Sequence, residues 1–447
     1  MNGLLTETAR ILQGQVHGEA QYTCVSTDTR TLAPGAVFVA LRGPNFDGHQ
    51  WVQAARDKGA VAAIVEHPVA VDFPHIVVPN TERALQQLAG AWRHRFDIPM
   101  VGITGSAGKT TTRALMASVL REAGCTHASV GSFNNEIGVP LTLLQLTAAH
   151  RYAVVEMGAG KPGDIALLTA IVKPTVAIIT NIGPAHLEAF GTIDVTAATK
   201  AEIFEWLPTQ GGAAMLNRDD QFFDYLWDKT AAHTRVTFGR HPEAMVRAVS
   251  ETVDAGGRVT FQVDSLGETA TITLPLLGKH NVMNALAVIA AARYLQIPWH
   301  QIVHGLSQTE AVHGRLRMVS GVAGACVIDD SYNANPASVR AAIEVLGARS
   351  GMRILVLGDM LALGADSARY HREMGQWARQ QAISAVYAIG DATQETVAAF
   401  GENAWHFKTH AELIDALKPH LTAEATVLVK GSHAMQMERV VSGIIVS

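Results

Sequence analysis

The sequence predicts an α/β chain in three parts: a small mixed α/β domain, a central parallel-sheet domain with a phosphate-binding loop, and a C-terminal doubly wound, Rossmann-like domain. Three observations predict it. The chain has 447 residues, and at about 150 residues per domain three is the natural division. Short apolar runs are followed repeatedly by helical material, the signature of parallel strands with crossover helices. One of those runs ends in a glycine-rich turn that opens a helix.

Composition excludes several classes. Apolar residues make up 48% of the chain and charged residues 17%, enough for packed cores and too apolar for long disorder. A net charge of −5 lacks the basic excess of a nucleic-acid binder, so no nucleic-acid partner is expected. Cys24, Cys125 and Cys326 lie far apart with no CxxC spacing, which excludes a zinc ribbon or disulfide scaffold; each reads as a small buried apolar residue. The start, MNGLLTETARILQGQ, reads as an amphipathic helix without the basic and apolar regions of a signal peptide. No run approaches roughly 18 apolar residues, so no membrane span is expected. A cytoplasmic setting fits best.

From 1 to 97, strand-like runs at Val37–Leu41 and Ala62–Glu66 flank a helical pattern at Trp51–Lys58, with a turn-rich stretch, LRGPNFDGH, at 41–49. From 98 to 310 the runs Met100–Thr104, Ala153–Met157, Val176–Thr180 and Ala213–Leu216 read as buried parallel strands. Alternation between Met245 and Leu274, around Ala255-Gly256-Gly257, reads as a hairpin inserted in or appended to that unit, and His280–Tyr294 as an alanine-rich helix. From 311 to 447 the runs Ala325–Asp329, Ile354–Gly358, Val386–Gly390 and Val427–Lys430 each precede helical material, giving a separate doubly wound sheet.

The sharpest chemical signal is TGSAGKTTT at 104–112. Glycines let several backbone N–H groups face one point while the following helix presents its positive end there. Lys109 adds a mobile charge for terminal phosphates, and the Thr110 hydroxyl is placed for Mg²⁺. Ile103 stands where the usual loop has its first glycine, so the pattern is a variant. Glu156 follows the run Ala153–Val155, where a strand end meets the ligand crevice; it is a candidate Mg²⁺ ligand or a surface carboxylate. Asp164 opens a helix after Lys161-Pro162-Gly163. His186 follows another strand end and is, on local pattern, more often structural than a ligand. Lys200 lies in the helix ATKAEIFEWL, where a lysine is usually a solvated charge.

Together with NNEIGVPL (134–141), TNIGPAHLEAFG (180–191), GKHN (278–281), DDSYNANP (329–336) and LGDM (357–360), these motifs make the chain resemble the Mur ligases, ATP-dependent amide-forming enzymes that build the peptidoglycan stem peptide. Within the family NIGPAHLE and YNANP resemble the MurF type, and the DNPR motif of the diaminopimelate-adding type is absent. The resemblance implies a domain at 1–97 gripping uridine diphosphate, an ATPase domain at 98–310 and a Rossmann-like domain at 311–447, acting as a monomer. It implies that Gly105, Ser106, Ala107, Gly108, Lys109, Thr110 and Thr111 hold the ATP phosphates. Thr110 and Glu156 would ligate one Mg²⁺, and His186 a second. Asn281 and Asn284 would lie at the adenine, Arg315 would reach the phosphates and Asp330 the ribose. Asp28, Thr29, Arg30, Pro44, Asn45 and Phe46, with Asp47-Gly48-His49, resemble the uridine and diphosphate loops. Asn134 and Asn135 fall to the peptide substrate, and Asn333, Asn335, Ser338 and Lys430-Gly431-Ser432 to the incoming dipeptide. Lys200 matches a lysine that several Mur ligases carry as a carbamate, an anionic Mg²⁺ ligand in place of a repelled ammonium. Ala362 departs from the glutamate often found there.

The implied reaction joins D-alanyl-D-alanine to UDP-N-acetylmuramoyl-tripeptide with ATP, through an acyl phosphate, the cations Lys109, Arg315 and two Mg²⁺ offsetting anionic crowding. No residue stands out as the base for the amine. Closure about a hinge at Gly305–Gly314 is expected to assemble the site. The rivals are a ligase adding a single amino acid, a P-loop switch or kinase, which would need the NKxD-type motif that is missing, and a non-catalytic binding protein.

Overall fold

The computed structural model describes residues 1–446 apart from 70, 71, 185, 186 and 255. Three large sheets organise the chain. The first has the order Gln15–His17, His75–Val77, Ala62–Val65, Ala36–Val39 and Cys24–Ser26, antiparallel at the first pair and parallel elsewhere. Its two central strands are buried along their length, which is why they read as continuous apolar runs. The expected N-terminal helix is Leu5–Leu12, preceded by a short strand, Gly3–Leu4.

The helix Thr81–Arg93 starts at Asn80, whose side chain accepts from Arg83 N at 2.7 Å, a side-chain cap on an otherwise unpaired donor. Its apolar face, Leu85, Leu88 and Trp92, joins Val139, Leu143, Ile165 and Val172 in one core. The first sheet and the second are therefore packed on a shared interior. Arg93 rivets them: its guanidinium donates to the carbonyls of Val172 (2.8 Å), Lys173 (3.1 Å) and Phe96 (2.6 Å). Val172 ends the helix Asp164–Val172, so the cation also sits at the negative end of that helix.

The second sheet has nine strands, in the order Thr126–Ala128, Tyr152–Glu156, Met100–Thr104, Val176–Ile179, Ala213–Asn217, Thr234–Gly239, Val246–Val253, Arg258–Ser265 and Glu268–Leu277. The first seven pair in parallel and the last three antiparallel. The expected hairpin is thus a three-stranded extension. The turn that escapes the sequence pattern is Leu266-Gly267, both at positive φ (55° and 89°), where leucine is not a turn signal. The helix His280–Tyr294 is buried nearly all round, and its small alanines allow that close packing.

The third sheet runs Arg317–Ser320, Cys326–Asp330, Ala425–Lys430, Met352–Gly358, Ala385–Ile389 and Ala404–Phe407, parallel except for the first strand. Apolar clusters line both of its faces. The helix Pro336–Gly347 begins with a reciprocal capping box between Asn335 and Ser338, with proline at the first position.

Two expectations are corrected. Gly305 lies inside the helix Trp299–Ser307, pressed against the Val119 backbone, and its carbonyl accepts from Ser118 Oγ at 2.7 Å. The first part of the expected hinge is therefore a packed helix, and only the chain beyond Ser307 is free of regular structure. None of the cysteines is buried: Cys125 is exposed and Cys24 and Cys326 partly so, because each stands at an element boundary or edge. Among the described residues no helix is long and apolar enough to cross a membrane.

Arg93→Ala removes the rivet and leaves three carbonyls short of a charged donor. The expected loss is about 2–4 kcal/mol of unfolding free energy, read by urea denaturation; a change below about 0.5 kcal/mol would contradict it.

Candidate active site

The strand Met100–Thr104 ends at a loop, 105–108, that turns into the helix Lys109–Ala123. Two glycines are required there. Gly105 (φ 149°) lies against Thr180 Oγ1 and Gly108 (φ 81°) against the Asn284 amide, with no room for a Cβ at either. The segment 180–183 clamps the loop from the next strand end. Ser106 N donates to Asn181 O (2.9 Å), Ala107 N to Asn181 Oδ1 (3.0 Å) and Thr180 Oγ1 to Ala107 O (2.6 Å). Lys109 folds back over the loop, its Nζ donating to Gly105 O at 2.7 Å. Burial lowers its pKa, against the opposing pull of Glu156.

Glu156 is 1% exposed, so the surface alternative is excluded. Its Oε1 accepts from Thr110 Oγ1 (3.1 Å) and Asn134 Nδ2 (2.8 Å), and its backbone N donates to Ser129 Oγ (3.2 Å). Oε2 is buried with no hydrogen-bond partner and lies 3.4 Å from Arg113 Nε. From the bend before the strand Arg317–Ser320, Arg315 Nη2 donates to Thr110 Oγ1 at 3.4 Å while its guanidinium stacks 4.4 Å from the Tyr332 ring. Asn335 Nδ2 reaches Ser106 O at 3.3 Å.

Lys200, at the end of the helix Ile193–Ala201, is 3% exposed, so it is not a solvated charge. Its pKa falls to about 7, first from burial and then from Lys109. His186 lies outside the described residues. A divalent cation fits this donor set: a buried carboxylate oxygen that makes no hydrogen bond, beside a hydroxyl, is what a hard cation uses. Among the described residues no group of three His, Cys, Asp or Glu side chains could hold a metal, so such a cation would depend on hydroxyl and ligand oxygens as well.

A cavity of about 300 Å³ opens beside the loop. It brings together Ser106 to Thr111, Asn281, Asn284, Arg315, Asp330, Asn333, Asn335 and Ser338 of the residues singled out in the sequence. Several of these spend their side chains within the protein. Asn281 Nδ2 donates to Leu277 O (2.7 Å) and Asn284 Nδ2 to Asn281 Oδ1 (2.8 Å), while Thr112 Oγ1 donates to Asn284 Oδ1 (3.3 Å), joining the helices His280–Tyr294 and Lys109–Ala123. Asp330 pairs with Lys430 at 2.7 Å, both buried, and the Lys430 ammonium also donates to Asn333 O at 2.7 Å. Asn335 and Ser338 form the helix cap, and Asn135 Oδ1 accepts from Gly138 N (2.9 Å) at the start of another.

The residues expected to hold uridine diphosphate do not line this cavity. Asp28 and Arg30 pair with each other at 2.7 Å on the surface, and Lys58 Nζ donates to Thr29 O. Pro44 and Asn45 form the tip between the short strands Arg42–Gly43 and Phe46–Asp47, with Phe46 56% exposed. Asp47, held to about pKa 2 by the His49 backbone N–H and ring, anchors that tip at 2.6 Å from His49 Nδ1.

Sequence reasoning missed Arg113, Asn181 and His280. Arg113 was within reach, because a residue four beyond Lys109 shares its helix face. Asn181 and His280 stood inside quoted motifs, but only the fold shows them facing the loop and the cavity.

Mur ligase family models match the chain in three places: "Mur ligase family, catalytic domain" over 21–93, "Mur ligase middle domain" over 103–292 and "Mur ligase, glutamate ligase domain" over 314–433. The chain is 36% identical to the UDP-N-acetylmuramoyl-tripeptide–D-alanyl-D-alanine ligase of Escherichia coli strain K12, over 98% of each chain. Its structure is similar to MurF from Acinetobacter baumannii, with a TM-score of 0.92 at 32% identity, covering 99% of this chain and 98% of that one. It is also similar to the MurF ligase of Thermotoga maritima in complex with ADP, with a TM-score of 0.82 at 27% identity, over 94% and 96% of the two chains.

His280 carries a pH dependence. Burial, then Lys430 and Arg240, lower its pKa from 6.5 to about 4. As pH falls the unfolded chain therefore takes up the proton first. Stability is full above pH 6.5 and declines towards pH 4, by up to about 3 kcal/mol from this group. Measured across that window, His280→Gln should lose stability less steeply than the parent; parallel slopes would contradict it.

Proposed function

The chain belongs to the Mur ligase family, and from that premise we propose that it is a MurF-type ligase, joining D-alanyl-D-alanine to UDP-N-acetylmuramoyl-tripeptide with ATP. One observation carries the chemistry: Lys109, Thr110 and Glu156 are gathered at a glycine-turned loop, and Arg315 reaches Thr110 from the opposite sheet. The product is the UDP-linked pentapeptide precursor of peptidoglycan.

A carboxylate is a poor acylating agent because its leaving group would be oxide. ATP converts that group to phosphate. The tripeptide carboxylate attacks the γ-phosphorus, the bond to the β-phosphate oxygen breaks, and an acyl phosphate and ADP result. The amine of the dipeptide then adds to the acyl carbon, and phosphate leaves as the amide forms. Bringing one unit charge to about 4 Å from another costs about 4 kcal/mol at an effective dielectric near 20, and the first step crowds several anions. Lys109 and Arg315 lower that repulsion and hold the groups in line, while the first-turn N–H groups of the helix Lys109–Ala123 face the phosphates.

Thr110, Glu156 and Lys200, with His186, would hold Mg²⁺, which when bound neutralises phosphate charge. An ammonium buried beside Lys109 is unfavourable, and carbamylation of Lys200 would turn it into an anionic ligand. The division of labour we assign is 1–97 for the uridine diphosphate sugar, 98–310 for ATP and 311–447 for the dipeptide, in a cytoplasmic monomer. Contacts between the second and third sheets through Arg315 and Asn335 support closure over the acyl phosphate, which keeps water from it.

Sustained release of ADP and phosphate by the purified protein should require Mg²⁺, the tripeptide substrate and D-alanyl-D-alanine together, and single amino acids should not replace the dipeptide. Lys109→Met should lower kcat by about 10²-fold or more while leaving binding of the uridine substrate intact. Comparable turnover with a single amino acid, or none with the dipeptide, would contradict the reading.

A further inference from the structure

Arg113 is a buried cation that the reaction above does not use. It stands one helical turn beyond Lys109, and its side chain is 11% exposed against 2% for that of Glu156. Its Nε and Glu156 Oε2 lie 3.4 Å apart, yet neither atom makes a hydrogen bond. They form a buried ion pair without a hydrogen bond of ordinary geometry. The guanidinium is fixed from the other side by the carbonyls of Ser129 and Gly131, in the same loop that carries Asn134.

Glu156 is thus met on every side: Thr110 and Asn134 take one oxygen and Arg113 faces the other. Around this carboxylate stand Lys109, Arg113 and Arg315, while Asp330 is already paired with Lys430. These three cations outnumber the one carboxylate they surround before any ligand arrives.

We propose that Arg113 keeps Glu156 from capturing a divalent cation until a nucleotide is present, so that the metal enters together with the polyphosphate. The inference rests on the reading of Glu156 as a metal ligand. A bare dication approaching Oε2 meets a fixed positive charge where water is excluded, and repulsion there is weakly screened. A polyphosphate in the loop brings several negative charges and reverses the local field. Arg113 does not line the cavity and acts through Glu156, so it is a positioning residue.

The test measures Mn²⁺ binding by electron paramagnetic resonance, with and without ADP, in the parent protein, Arg113→Gln and Arg113→Lys. The parent should bind Mn²⁺ about tenfold or more tightly when ADP is present. Without ADP, Arg113→Gln should bind it about tenfold or more tightly than the parent, and Arg113→Lys should behave as the parent does. A side chain that serves packing alone would not tighten metal binding on removal. Unchanged or weaker nucleotide-free binding in Arg113→Gln, with ADP-dependent binding preserved, overturns the inference alone. Should that variant fail to fold, the parent decides: equal affinity with and without ADP overturns it. No Mn²⁺ binding even with ADP overturns the metal reading of Glu156, and this inference with it.

Discussion

A carboxylate taken out of water stays charged only if donors and cations meet it, and the arrangement around Glu156 is built to meet that demand. The loop glycines let the helix Lys109–Ala123 begin where Thr110 can donate to it. The strand pairing of Tyr152–Glu156 with Met100–Thr104 brings the acid to the loop from the neighbouring strand, in the register Ile103↔Glu156. Asn134 and Arg113 close the remaining sides. Any reaction that moves a phosphoryl group here inherits this concentration of opposed charge, and the cavity opens beside it.

The rest of the molecule divides into what holds this point still and what comes to it. The first two sheets share one core, and Arg93 fastens them through buried bonds to the end of the helix Asp164–Val172. The third sheet has its own apolar clusters, one joined by Leu277 of the second sheet, and reaches the site through a few polar contacts: Arg315 to Thr110, Asn335 to Ser106, and Glu188 N to Ala362 O at 3.3 Å. Shared apolar burial makes a rigid pair of domains, whereas a few polar contacts at long range in sequence are easily broken and remade. That asymmetry suits the closure of the third domain proposed above.

Much of this was legible in the sequence, and the reasons are specific. The loop 105–108 shows because only glycine tolerates its backbone and its close contacts with Thr180 and Asn284. His280–Tyr294 shows because a run of alanines has a helical preference that burial does not override. Other features depend on depth, which sequence does not display: Lys200 reads as an ordinary helix lysine until the fold encloses it beside Lys109. Asn335-Pro336 with Ser338 carries a helix-start signal that the family resemblance drew towards ligand contact, and the cap uses both side chains. The extension from Val246 to Leu277 was counted one strand short because Leu266 occupies a turn position that sequence rules reserve for glycine or asparagine.

The account turns on the acid end of the peptide being activated by direct attack on the nucleotide. The most direct measurement is isotope transfer: supply the tripeptide substrate with ¹⁸O in its terminal carboxylate and analyse the phosphate released during ligation by mass spectrometry. One labelled oxygen per phosphate is the result the account requires. Phosphate carrying none, with all the label left in the peptide or lost to water, would contradict it.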